Sequence, residues 1–158
     1  MKSRHLQLLL AVLGVCVLSS AGLSRAGELL SEGQLPSVVD LIQELKSNPL
    51  RPEENFRITR LVENTEQSAL LVQVRSTLPP HFHRHTREVV YFLQGEGVFL
   101  LEAESIPIRD GAVLLIQPGQ VHTFTNQGRT PAVFFVVTSP RFDERDRIMI
   151  QGEQGIVR

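Results

Sequence analysis

The chain has 158 residues, 42% of them apolar and 21% charged, with a formal net charge of −1. That length and balance suit a single globular domain, and no low-complexity tract or internal repeat argues otherwise. Three of the 16 basic residues (Lys2, Arg4 and Arg25) and none of the 17 acids fall in residues 1–26. The remainder is therefore mildly acidic without a basic cluster, which excludes an ordinary nucleic-acid binder.

The N-terminus has its own composition. Lys2, Arg4 and His5 form a short basic region, Leu8 to Leu18 is almost wholly apolar, and Ser19, Ser20, Ala21 and Gly22 are small. This three-part layout is that of a secretory signal peptide over residues 1–26, with cleavage expected after Ala21 or Ala26. The apolar run is shorter than the ~20 residues of a membrane span. The expectation is a cleaved signal, no membrane attachment afterwards, and a secreted or periplasmic setting. Cys16 is the only cysteine and lies in the apolar run. A lipoprotein signal carries a small residue before its cysteine, whereas Val15 is bulky, so lipidation is the lesser alternative. If Cys16 leaves with the signal, the mature chain has no disulfide, cysteine nucleophile or thiolate ligand.

Residues 27–54 read as an exposed leader and a short helix. Val38, Leu41, Ile42 and Leu45 recur at helical spacing. Pro36 suits an early helical position and Ser47-Asn48-Pro49 a stop, which predicts a helix over 37–45. It would pack against the domain or a partner subunit.

From Phe56 the period changes to that of strands. Segments 56–61, 68–74, 89–93, 97–101, 106–108, 112–116, 121–124 and 132–138 are predicted as strands. The turn signals Gln94-Gly95-Glu96, Arg109-Asp110-Gly111, Gln117-Pro118-Gly119 and Asn126-Gln127-Gly128 separate them. Many short, closely spaced strands predict an all-β sandwich or barrel over residues 55–150. After Pro140 the chain is charged through Arg147, Ile148-Met149-Ile150 follows, and residues 151–158 read as a frayed tail.

Four of the five histidines sit in two blocks, His81-Phe82-His83-Arg84-His85 and, after Pro118-Gly119, His122. Side chains two apart on a strand face the same side, so His81 and His83 can share one cavity. Glu88 can return a carboxylate to it beyond a bend, and His122 would enter from a distant strand. Imidazoles with one carboxylate suit Fe, Mn, Ni, Co or Zn rather than a thiolate-seeking metal. Few protein ligands would leave positions open for water, substrate or dioxygen.

His81-x-His83, Glu88 and Gly95 resemble the first motif of the cupin superfamily. Gly111, Pro118-Gly119, His122 and Asn126 resemble the second. The resemblance covers roughly residues 70–138 and is similar to the small single-domain members. It implies an all-β, cupin-type double-stranded β-helix, or jelly-roll barrel, with one divalent transition metal (Fe, Mn, Ni or Zn) on His81, His83, Glu88 and His122. It also implies a homodimer, tight turns at Gly95 and Gly111, and a structural role for Asn126. Arg75 stands where the family has a glycine, and the second-motif proline sits one place late. His85 offers an alternative His83/His85 pair, but Glu88 would then follow too soon for the bend.

Alternation around the site places Val90, Phe92, Phe124 and Asn126 with the ligands, and places Val74 and Ser76 beside the first histidines. Tyr91 faces outward, Arg57 and Arg60 on the first strand are solvated or have one of the pair inward, and Phe134 and Phe135 are core. Such a pocket is apolar and offers no arginine or lysine to an acid. Two functional classes follow. One is a metal-dependent, dioxygenase-like enzyme acting on a small organic substrate, with Glu88 as ligand and catalytic proton acceptor. The other is a non-catalytic protein that binds a metal and a small ligand. Isomerase or lyase chemistry on a small hydroxy- or keto-acid is a further enzymic alternative, against which the missing cation counts.

Overall fold

The computed structural model describes residues 38–150. The predicted signal, Cys16, most of the leader and the tail from Gln151 lie outside the described residues.

A seven-residue helix, α1 (Leu41–Ser47), precedes the strands. It starts later than the spacing predicts because Asp40 caps it. The Asp40 carboxylate accepts the backbone N–H groups of Ile42 and Gln43 at 2.9 and 3.1 Å, which satisfies two of the donors a helix start leaves free. Val38, expected inside the helix, is outside it and exposed.

Ten strands follow: β1 (Phe56–Glu63), β2 (Ser68–Val74), β3 (Thr77–His83), β4 (Arg87–Gln94), β5 (Gly97–Leu101), β6 (Glu104–Ile108), β7 (Val113–Ile116), β8 (His122–Asn126), β9 (Ala132–Ser139) and β10 (Arg147–Met149). They form two five-stranded sheets, ordered β1-β2-β9-β4-β7 and β10-β3-β8-β5-β6, with every pairing antiparallel. Apart from the hairpins β1–β2 and β5–β6, consecutive strands change sheets along the chain, so two faces close on one core as a jelly roll. The predicted strands all form. Two further strands lie outside those segments: β3, of which only His81 and His83 were read as strand, and β10, which is three residues long.

The core between the sheets contains Leu70, Val72, Val90, Phe92, Phe99, Phe124, Phe134 and Val136. Phe92 sits against Phe134 at 4.5 Å between ring centroids, and Phe134 against Phe124 at 4.7 Å, both edge-on. These tilted rings fill one end of the barrel with no polar atom to satisfy. Phe135 faces the other way and packs with Leu61, Leu71 and Val133 in a cluster that includes Leu41 and Leu45 of α1. The alternation in β9 thus divides the two phenylalanines between two apolar clusters.

Two glycines at this end are required by the backbone, Gly95 of the motif and Gly97 beside it. Gly95 has φ +106° in the turn between β4 and β5, a region that L side chains rarely adopt. Gly97 sits so close to Phe124 and the Thr125 carbonyl that a Cβ would come within 2.6 Å of the Phe124 ring. Asn126 ties the same end together. Its amide donates to the carbonyls of Arg75 and Thr130, and its oxygen accepts the N–H of Gly128.

Candidate metal centre

Three of the four residues come from one sheet and the fourth from the sheet opposite. His81 and His83 lie on β3, and His122 at the start of β8 stands directly across from His81. Glu88 enters from β4, between β7 and β9. All four are buried. The three histidines each offer a ligand nitrogen, all within 4.8 Å of one another. The Glu88 carboxylate joins them: Oε1 is 3.4 Å from His83 Nε2, and Oε2 is 3.5 Å from His122 Nε2. The structure brings together every residue of the predicted ligand set.

His85 is excluded from it. β3 ends at His83, and the two following residues turn under Asp146. The Asp146 carboxylate accepts the backbone N–H groups of His85 and Thr86 and the Thr86 hydroxyl. The His85 side chain is left exposed.

The ring orientations are fixed from behind. Nδ1 of His81 lies 2.7 Å from the Pro79 carbonyl, and Nδ1 of His122 lies 3.0 Å from the Gln120 carbonyl. A carbonyl only accepts, so each Nδ1 carries the proton and each Nε2 presents a lone pair. Pro79 and Pro80 contribute to this arrangement. The β3–β8 register shifts between Leu78 and His81, and the freed Pro79 carbonyl turns to His81. Phe99 stacks parallel to His122 at 5.9 Å, and Phe142 packs edgewise to His83 at 6.4 Å.

Burial makes all three imidazoles hard to protonate. It pushes His81 down to about 2 and His122 down to about 4, and it lowers His83 as well. The same burial pushes Glu88 up to about 7. Neutral imidazoles with a carboxylate reluctant to ionise make a site that gains from a cation at its centre. The two Glu88–histidine spacings, 3.4 and 3.5 Å, fit one. Donor atoms held about 2.1 Å from a common ion stand about 3 to 3.5 Å apart at adjacent vertices.

The chamber is small, about 40 Å³, and mostly apolar. Leu78, Val90, Phe99, Ile116, Phe134 and Phe142 form much of its wall. Val90 faces it as the alternation predicts, and Phe92 and Phe124 are buried in the core behind. Ser76 departs from expectation: it is exposed and bonded to Asn55, and Leu78 takes the inward place. Tyr91 is 40% exposed on the outer face. Arg57 pairs with Glu54, and Arg60 reaches Glu63 and Glu144, so neither enters.

One expectation is overturned. The chamber does contain a cation, Arg147, carried in by β10 opposite His83. Only the brief alternation Arg147-Ile148-Met149 after the charged stretch marks this strand in the sequence.

Comparison with known proteins agrees with this architecture. The family model described as "Cupin domain" matches residues 70–138. An uncharacterised protein of Aquifex aeolicus is 24% identical over 123 residues, covering 78% of this chain and 98% of its own. A Thermotoga maritima protein named "Oxalate-binding protein" is 36% identical over 69 residues, covering 40% of this chain and 57% of its own. The solved structure of an uncharacterised Klebsiella pneumoniae protein with a double-stranded β-helix domain superposes with a TM-score of 0.62. It is 16% identical and covers 74% of this chain and 99% of its own.

Proposed function

We propose that this chain, whose residues 70–138 match the cupin domain model, is a small cupin that works as a metal-dependent enzyme acting on a small organic substrate inside the barrel. The observation that carries the reading is the convergence of His81, His83, His122 and Glu88 on one point in a buried chamber. Those four residues would hold a divalent Fe, Mn, Ni or Zn ion. Such an ion would supply Lewis acidity and, for a redox-active metal, access to dioxygen chemistry.

The chain's own groups supply the rest. Pro79 and Gln120 hold the His81 and His122 rings in the ligating tautomer. The apolar wall keeps bulk water out. Glu88, the one carboxylate of the chamber, would serve as the anionic ligand and is the group placed to take a proton from a substrate beside the histidines. A chamber of about 40 Å³ admits a few heavy atoms rather than an aromatic ring unless it opens. The dioxygenase-like reading therefore applies to a small substrate. Arg147 restores the isomerase or lyase reading on a small acid, because the cation that this chemistry needs is present.

A non-catalytic ligand-binding role is the second reading. The name of the Thermotoga relative supports it, since oxalate has few enough atoms for such a chamber. Export before function belongs to the same proposal and rests on the signal-like residues 1–26. A homodimer does too, supported by the exposed apolar side chains Val89, Tyr91, Val113 and Leu115 on the outer face of β4 and β7.

The test is elemental analysis of the mature protein purified without chelator, followed by azide titration of its metal spectrum. About one metal per chain with an azide-sensitive spectrum is expected. No metal even after reconstitution would refute the proposal. A bound metal indifferent to azide would favour the non-catalytic role.

A further inference from the structure

Arg147 is the only arginine or lysine among the chamber's lining residues. Its guanidinium carbon lies 5.2 Å from the centre of the Phe56 ring, which supports one face of the group. Nε and Nη2 are both buried and have no hydrogen-bond partner among the described residues. Buried donors are nearly always paired, so two on one guanidinium need an explanation.

Glu88 does not provide it. The carboxylate faces His83 and His122, and no ion pair links it to Arg147. Nε and Nη2 form one edge of the guanidinium, and their two N–H groups point the same way. That edge matches the two oxygens of a carboxylate.

Charge and size point to the same ligand. Among the described residues, Glu88 and Arg147 are the only acid and strong base lining the chamber. A divalent ion on the histidines would leave a positive excess, which an anion of one or two charges would balance. The wall offers that anion few other polar partners, and the volume limits it to a few heavy atoms.

We propose that Arg147 is the specificity residue of the chamber, holding through Nε and Nη2 one carboxylate of a small mono- or dicarboxylic acid whose remaining atoms reach toward the histidine cluster. The proposal rests on the metal-dependent reading above and adds the substrate class. It also gives β10 a role: the strand pairs with β3 and thereby places the guanidinium beside His83.

The test is calorimetric titration of the full mature chain with acetate, oxalate, malonate and succinate, and with acetamide and oxamide as uncharged counterparts. Each titration is run on metal-loaded and chelator-treated protein, with metal content measured on the same samples. At least one acid should bind ten-fold or more tightly than its amide. Arg147→Gln should lose that preference while keeping its metal and its melting temperature. Arg147→Lys should recover only part of it, because an ammonium lacks the two-pronged edge. Arg141→Gln, at the surface, should behave as the parent.

Equal binding of acid and amide, or equal acid binding by the parent and Arg147→Gln, would overturn the proposal, as would no binding of any acid. The first comparison needs only the parent protein, so it stands even if a variant fails to fold. Loss of the metal reading would show separately as absent metal. The acid preference of the chelated protein, and its dependence on Arg147, would then still decide this proposal.

Discussion

Glu88→Gln should stabilise the metal-free protein at alkaline pH. The carboxyl is buried, faces two imidazole nitrogens at 3.4 and 3.5 Å, and is pushed up to about 7 from an ordinary 4.5, chiefly by desolvation. A folded-state pKa above the unfolded one means that the fold holds the proton more tightly. Stability is then greatest below the unfolded pKa, falls as pH rises from 4.5 through about 7, and levels off above that. At ~1.4 kcal/mol per pH unit, the full loss is about 3 kcal/mol.

Glutamine has nearly the same shape and carries no charge. The substitution should therefore gain about 3 kcal/mol at pH 8.5 and less than about 1 kcal/mol at pH 5. For a domain of this size that gain is roughly 10 °C in melting temperature. The histidines titrate in both proteins and largely cancel in the difference. Urea and thermal unfolding, in chelator at the two pH values, provide the measurement. With a divalent metal present the sign should reverse, because the variant has lost an anionic ligand. A neutral or destabilising effect in chelator at pH 8.5 would refute the reasoning. It would show that Arg147 already compensates the charge across the chamber.

Other consequences are simpler to state. His81→Ala and His122→Ala should each lose most of the bound metal, while His85→Ala, at an exposed position, should keep it; metal content per chain measures this. Gly97→Ala would place a Cβ 2.6 Å from Phe124 Cζ, and overpacking of that kind costs about 1–3 kcal/mol or more. Its melting temperature should fall by several degrees at least. Val113→Glu with Leu115→Lys should convert a dimer to monomers by light scattering, since both side chains are exposed on the edge strand β7. A parent protein that is already monomeric would rule out the dimer.

Much of the candidate site is written locally. His81 and His83 face one side because a strand alternates, and the distance to Glu88 allows one bend between β3 and β4. Gly95 marks the turn that needs a positive φ. These features depend on backbone geometry over a few residues, so local patterning determined most of the strands and the all-β class, while the jelly-roll form and the full four-residue set came from the motif resemblance. The start of α1 was also a local matter but was misread: the Asp40 side chain outweighed Pro36 as the initiating signal.

Only the tertiary structure decided the rest. Nothing near Arg147 in the sequence says that three residues will pair with β3 and carry a guanidinium inside, because the partner lies some sixty residues away. The exposure of His85 depends on Asp146, equally distant, which holds the backbone after His83. The split between Phe134 and Phe135, and the inward place of Leu78 rather than Ser76, follow from which sheet face meets another apolar surface. Periodicity reveals that a face exists. Long-range pairing determines what that face meets, and the cation in the chamber came from such a pairing.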